Sequence, residues 1–276
     1  SYRRATIAAM LRPLYTPENC PVAYQLHWSL TLFASEPWPH ADSWRQSLGD
    51  VVEADGVRIL EFKHHSQDAG QFLVSTKPQA APAQIVRSIK GRLQYLLRDK
   101  IPKFWRRHYS ITSVGDASNA VLQDYVGGQV EHHRVADSRT VERLCEVQFH
   151  DPSVDLATER ASSHGRFIHN LHIVLENADH LPDTRKEWLT TSRDMVVAAC
   201  RKKGWLLSRF GLVANHLHVL LGCDVADAPR DVALSLMNNL AYAHGMKRVY
   251  ESSFYVGTFG PYDHGAIRPR LKDQGL

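Results

Sequence analysis

Residues 168–177, IHNLHIVLEN, decide how the chain is read, because residues 24–33, YQLHWSLTLF, resemble them. Both are apolar runs of strand length, rich in β-branched or aromatic residues. Leu26-His27 aligns with Leu171-His172, and each run leads through a polar, proline-containing loop into a stretch of helical period. Those stretches are SWRQSLGDVVEAD (43–55) and KEWLTTSRDMVVAACRKKG (186–204), each with a Trp near its start and a Val-Val pair later. GVRILEF (56–62) and GWLLSRFGLV (204–213) follow, each opening on Gly, the residue expected where a helix stops. GQFLVSTKP (70–78) then answers to NHLHVLLGC (215–223). In the next helices, 83–98 and 230–245, Ile85, Ser88, Leu93 and Tyr95 stand at one constant offset from Val232, Ser235, Leu240 and Tyr242. Aromatic-rich strands within 101–115 and 251–263 close each half.

Each half therefore reads β-α-β-β-α-β, without the long crossovers of a parallel sheet. That order predicts an α+β protein of two tandem ferredoxin-like (βαββαβ) domains, each an antiparallel sheet with its helices on one face. The first half continues into DASNAVLQDYVGGQVEHH (116–133), expected as one more helix, for which the second half has no room before Leu276. The expected boundaries are 1–133 for the first domain, 134–165 for a polar connection and 166–276 for the second domain.

Composition is that of an ordinary globular chain, 43% hydrophobic and 22% charged, with mean hydropathy -0.33. No apolar run approaches the roughly 18 residues of a membrane span. The basic stretch SYRRATIAAMLRPLY (1–15) is too short in apolar length for a secretory signal, so a cytoplasmic location is expected. A net charge of +4 permits a nucleic acid partner without requiring one. Cys20, Cys145, Cys200 and Cys223 show no paired spacing, which argues against a disulfide framework or a thiolate zinc site.

In NHLHVLLGC the strand period of two puts His216 and His218 on one face, with Leu217 and Val219 on the other. Two neutral imidazoles side by side form part of a shell for a divalent ion. An isolated H-x-H is more often a solvent-facing pair, but here an Asn precedes it and the strand is an inner, apolar one. Histidine-hydrophobic-histidine in such a sheet resembles the HUH nuclease superfamily. NHLHVLL resembles the corresponding motif of single-tyrosine insertion-sequence transposases, with Ala214 where the family has Pro. The REP-associated tyrosine transposases look like the nearest relatives. That family carries Y-[IV]-x-x-Q on a later helix, and this chain has Tyr125-Val126-Gly127-Gly128-Gln129. The resemblance implies Tyr125 as nucleophile and Gln129 as a third metal ligand beside His216 and His218. It also implies a bound Mg or Mn ion, a 5′-phosphotyrosine intermediate, and single-stranded or hairpin DNA as substrate. The i, i+4 spacing independently places Tyr125 and Gln129 on one helix face, although two Gly weaken that helix.

The motifs are divided between the halves. The first half reads Gly70-Gln71-Phe72-Leu73 where the second has its histidines, and the second lacks a tyrosine helix. The family resembles obligate dimers whose sites take histidines from one subunit and tyrosine from the other. A fused, degenerate pseudo-dimer needs one complete site, and random decay is not expected to spare one complementary set. DNA contacts are expected from Arg92, Lys103, Arg106, Arg107, Lys202, Lys203, Lys247, Arg248, Arg268 and Arg270, and a homodimer of such chains is a further expectation. Two other readings stand beside the nuclease: a catalytically silent DNA-binding protein derived from a transposase, and a small-molecule metalloenzyme that happens to place H-x-H on a strand.

Overall fold

The computed structural model describes residues 12–132 and 137–261. The first half contributes β1 (Val22–Gln25), β2 (His27–Ala34), α1 (Arg45–Glu53), β3 (Val57–His64), β4 (Ala69–Thr76), α2 (Pro82–Leu97) and β5 (Trp105–Val114). Two further helices follow, α3 (Asn119–Gly127) and α4 (Gln129–His132). Next come α5 (Ser138–Val147), β6 (Phe149–His150), β7 (Arg160–Ala161) and β8 (Gly165–Ile168). The second half runs β9 (Asn170–Glu176), α6 (Lys186–Lys203), β10 (Leu206–Leu212), β11 (His216–Gly222), α7 (Pro229–Ala243) and β12 (Phe254–Phe259).

The result is a mixed α+β structure with two sheets. One is ordered β3-β4-β2-β5-β8-β7, the other β1-β12-β9-β11-β10-β6. Within each half the four expected strands hold the same neighbours. β5-β2-β4-β3 and β12-β9-β11-β10 are both antiparallel throughout. One face of each sheet buries its alternate residues under helices. In β2, Trp28, Leu30, Leu32 and Ala34 are buried with Leu48 of α1 and Ile85, Ile89 and Leu93 of α2. In β11, Leu217, Val219 and Leu221 pack with Leu189 and Val196 of α6 and Leu236 and Leu240 of α7. The two later helices begin alike: Pro82 and Pro229 occupy the first turn after Ala81 and Ala228, where a missing N–H costs nothing. Helix α6 ends on Gly204 at φ 72°, the left-handed stop that favours glycine.

Pairing corrects the alignment of the two halves. Thr112 of β5 stands opposite both Ser29 and Ile168, and Gly257 of β12 opposite both His172 and Gln25. Ser29 therefore corresponds to His172, and His27 to Asn170, two residues from the alignment of Leu26-His27 with Leu171-His172. Likewise Thr31 faces Gln71 as Val174 faces His218, so Ala69 and Gln71 hold the positions of His216 and His218. A slip of two preserves every in-or-out assignment along a strand, so the hydrophobic pattern does not detect it. The first half still lacks the histidine pair.

The halves also trade strands. β1 and β2 are one extended stretch broken only at Leu26, yet β1 pairs in parallel with β12 of the second sheet. β8 and β9 are broken only at His169, and β8 pairs in parallel with β5 of the first. At the crossing the contacts are reciprocal. Ser113 Oγ accepts from the Asn170 N–H (3.0 Å) and donates to the Phe259 carbonyl (2.7 Å). Thr258 Oγ1 accepts from the His27 N–H (2.8 Å) and donates to the Val114 carbonyl (2.6 Å). Gly115 and Gly260 let the backbones meet: a Cβ at either would collide with the carbonyl oxygen of Thr258 or Ser113 respectively.

Within 134–165, expected as a connection, the described residues are built into the fold. Leu144 and Val147 of α5 enter the second core with Val141 packed beside them, and β6 extends the second sheet beside β10. Their apolar spacing along an otherwise charged run is the helical signal that polarity masks.

His169, at the second crossover, is fully buried with its ring edge-on to Trp28 and its Nδ1 2.8 Å from the Asp224 carbonyl. Burial pushes its pKa down to about 4, with Arg160 adding to the shift. The unfolded chain takes up this proton below about pH 6.5, whereas the folded chain resists until about 4. This contribution to stability is complete above 6.5 and is lost as pH falls toward 4. Urea denaturation between pH 7 and 5 is expected to show a smaller loss for His169→Leu, which copies Leu26, than for the wild type. Gly260→Ala is expected to cost about 2–3 kcal/mol because the obstacle is backbone. In Gly91→Ala, a helical site with nothing within 4 Å, the change is expected to be neutral or stabilising by up to about 1 kcal/mol; thermal melts of the pair check both.

Candidate active site

The face of the second sheet opposite its helices carries His216, His218 and Leu220 of β11. Helix α3, from the end of the first half, lies on that face. Its N-cap Ser118 accepts from the Val121 N–H, a standard helix start. Val126 is fully buried with Leu220, Phe259 and Leu156, and Leu122 packs beside it. Burying a valine fully contributes about 1.5–3 kcal/mol to the docking. Gly211 of β10 makes room, since a Cβ there would stand 2.8 Å from Val126 Cγ1. Polar bonds fix the rotation: the Gln123 amide donates to Ser208 Oγ (2.8 Å) and accepts from Arg209 Nε (3.0 Å).

This docking brings the tyrosine of one half to His218 of the other. The Tyr125 ring meets His218 edge to face, centroids 5.6 Å apart, and Tyr125 is 46% exposed. His216 and His218 are 4.9 Å apart by ring centroid on one face, as the period of two requires. The continuous helix expected across the motif breaks at Gly128, whose N–H closes on the Asp124 carbonyl, and Gln129 opens α4. Gln129 nevertheless stays beside its turn. Its side chain is buried, its Nε2 lies 3.4 Å from the Tyr125 carbonyl, and its Oε1 has no hydrogen-bond partner among the described residues.

The donor set fits a divalent cation. His216 Nδ1 sits 2.9 Å from Asn215 Oδ1, and His218 Nδ1 sits 2.8 Å from His172 Nε2. With Nδ1 of each ring so committed, Nε2 is the nitrogen that would meet an ion. A buried amide oxygen lacking a partner is a third neutral donor of the right kind. Among the described residues no group of three His, Cys, Asp or Glu could hold a metal by itself.

Two residues with parts in this geometry carry no motif. His172 lies in β9 beside β11, and burial pushes its pKa down to about 4. Its place beside the histidine strand follows once the strand order is known. Gln123, the docking residue, gives no sequence signal.

The basic residues expected to contact DNA are spread over several elements. Arg92 of α2 is paired with Asp55 at 3.0 Å, and α2 covers the opposite face of the first sheet. Lys202 and Lys203 are exposed at the end of α6, on the helical side of the second sheet. Arg106 pairs with Asp68 (2.9 Å) and Arg248 with Glu251 (3.0 Å), while Lys103, Arg107 and Lys247 are exposed. Arg268 and Arg270 lie outside the described residues.

Comparison with known proteins adds one family. Residues 37–129 match the family model described as "Transposase IS200 like". The match takes in roughly a third of the chain, contains Tyr125, ends on Gln129 and stops well before the histidine strand. Among solved structures, the chain is similar to a candidate transposase from Deinococcus radiodurans R1, at 19% identity and TM-score 0.31, covering 39% of this chain and 92% of that one. It is also similar to a REP-associated tyrosine transposase bound to a REP hairpin, at 10% identity and TM-score 0.30, covering 37% and 62%. No curated protein matches the sequence.

Gln123→Ala removes both polar bonds between α3 and β10. It is expected to lower stability by about 1–2 kcal/mol and to speed amide hydrogen exchange across 119–127 with little change in the second core, as exchange mass spectrometry can check.

Proposed function

We propose that the chain is a fused pseudo-dimer of two ferredoxin-like, transposase-like halves that cleaves single-stranded or hairpin DNA. It is a single-tyrosine nuclease and strand transferase of HUH type. The observation that carries this is the docking of Tyr125, from the half that matches the IS200-like family, onto His218 of the half that does not, with Gln129 buried one turn from Tyr125. Reciprocal strand exchange and the shared strand order support descent from a symmetric dimer. The solved relative bound to a REP hairpin agrees with a hairpin substrate.

Tyr125 acts as the nucleophile. Its phenolic oxygen attacks the scissile phosphorus, forming a 5′-phosphotyrosine bond as the phosphorus–3′-oxygen bond breaks. The phenol proton passes in the end to the released 3′-hydroxyl. No water takes part, so the phosphodiester is kept in a form that a second strand's 3′-hydroxyl can resolve. His216, His218 and Gln129 would hold a Mg or Mn ion, which supplies Lewis-acid polarisation of the phosphate. The edge-on contact holds the Tyr125 ring beside the His218 ring, and partial exposure leaves the phenol open to a strand. As a transposase-like nuclease the chain would act on DNA in the cytoplasm. No helix among the described residues is long and apolar enough to cross a membrane.

One observation favours a second reading, a catalytically silent DNA-binding protein. The family match lies wholly in the half that lacks the histidines. Incubation with labelled single-stranded DNA and Mn or Mg separates the two. The nuclease is expected to leave an SDS-stable adduct that Tyr125→Phe abolishes and that His216→Ala or His218→Ala reduces by at least about 100-fold. An adduct persisting in Tyr125→Phe overturns the assignment, and metal-independent binding without nicking identifies the silent form.

A further inference from the structure

We propose that His172 is a positioning residue that holds His218 as its Nδ1–H tautomer and so turns the His218 Nε2 lone pair toward the ion. The inference rests on the reading of the site given above, but its central measurement does not require the ion.

The geometry between the rings is specific. Their nearest nitrogens, His172 Nε2 and His218 Nδ1, are 2.8 Å apart, and their centroids are 5.1 Å apart with the planes 18° from parallel. Two five-membered rings joined by a straight in-plane N–H···N bond have about this centroid separation, so the contact is a linear hydrogen bond and not a face-to-face stack. A neutral imidazole has one donor and one acceptor nitrogen. The bond therefore runs one of two ways. If His172 donates, His218 keeps its proton on Nε2 and has no lone pair for a cation. If His218 donates, its Nε2 is the ligand and His172 must carry its own proton on Nδ1. Histidines that bind metals ordinarily give their second N–H to a fixed acceptor, which sets tautomer and ring orientation together. Here the acceptor is a third histidine.

The positions are rigid. β9 and β11 are neighbouring interior strands of the second sheet, with His172 opposite Leu220 and Val174 opposite His218. The two imidazoles are thus diagonal neighbours on one face, close enough to interact. The other half supplies independent support. Gln71 and Ser29 occupy the positions of His218 and His172, and there the Gln71 Nε2 amide donates to Ser29 Oγ at 2.9 Å. A polar pair persists at these two positions where no histidine stands. In the first half the residue at the His218 position, Gln71, is the donor.

Long-range proton–nitrogen correlation spectra of the histidine rings read the tautomer directly. In the metal-free wild type His218 is expected to carry its proton on Nδ1. His172→Phe and His172→Leu remove the acceptor and are expected to shift His218 toward the Nε2–H form, while His172→Gln, with a carbonyl acceptor, restores Nδ1–H. Mn(II) titration is expected to show affinity about 10–100-fold weaker in the Phe and Leu variants and within about threefold of wild type in the Gln variant. Thermal melts identify any variant that fails to fold, and the wild-type and Gln spectra decide the matter without it. A wild-type His218 protonated on Nε2, or one whose tautomer ignores the loss of His172, overturns the inference. A tautomer that depends on His172 in a protein that binds no Mn(II) upholds the positioning role and overturns the metal reading instead.

Discussion

The close crossing of two backbones at Gly115 and Gly260 governs the arrangement of the molecule. Neither position admits a Cβ, because the carbonyl oxygen of the other half occupies that space. Around the crossing, Ser113 and Thr258 each receive an N–H from an opening strand and return a proton to a closing one. These bonds are buried and mutually satisfied, so a shift of one half against the other would leave buried donors and acceptors unpaired, a cost of about 1–3 kcal/mol each. The sheets are consequently held in register with one another. Helix α3, which begins just past Gly115 with Asn119 N–H bonded to the Gly260 carbonyl, leaves the crossing already aimed at the second sheet.

That aim separates roles that a single small domain would have to combine. The first half commits its sheet to a core and sends out a helix. The second half keeps one sheet face clear of its own helices and places imidazoles on it. Because α3 starts at the crossing, it lies on the sheet of the second half. The two halves are thus unequal in chemistry while nearly equal in topology. Gln71 with Ser29, and His218 with His172, show the same pair of positions used once for packing and once for a candidate site.

Much of this was legible in the chain. Strand and helix positions followed from apolar periodicity, and Pro82 and Pro229 mark equivalent helix starts that the constant offset had already linked. The face shared by His216 and His218 followed from the period of two. The register was less accessible, because displacement by two residues leaves the pattern unchanged; only partners across the sheet, Ser29 with Leu73 and His172 with Leu220, resolve it. Strands β1 and β8 went unread because each continues into its neighbour with a single residue between them, and no local signal says that Leu26 or His169 is where the chain changes sheets. The break at Gly128 was foreshadowed by the paired glycines. The bond that Gln123 accepts from Arg209 was not, since an exposed-looking glutamine gains meaning only from the surface it lands on.

The exchange of strands also sets an order in time. β1 is the first described strand to be synthesised, and its partner β12 is the last. At roughly 5–20 residues per second, the intervening chain takes on the order of ten seconds to a minute to emerge. Throughout that interval β1 is an unmatched strand tethered to a nascent first sheet, whose β5 edge stays open until residues 165–168 arrive. An open edge is a template for pairing with other chains. The first half therefore matures under conditions unlike those of a self-contained domain, and the chain that carries the candidate histidines is also what closes its sheet.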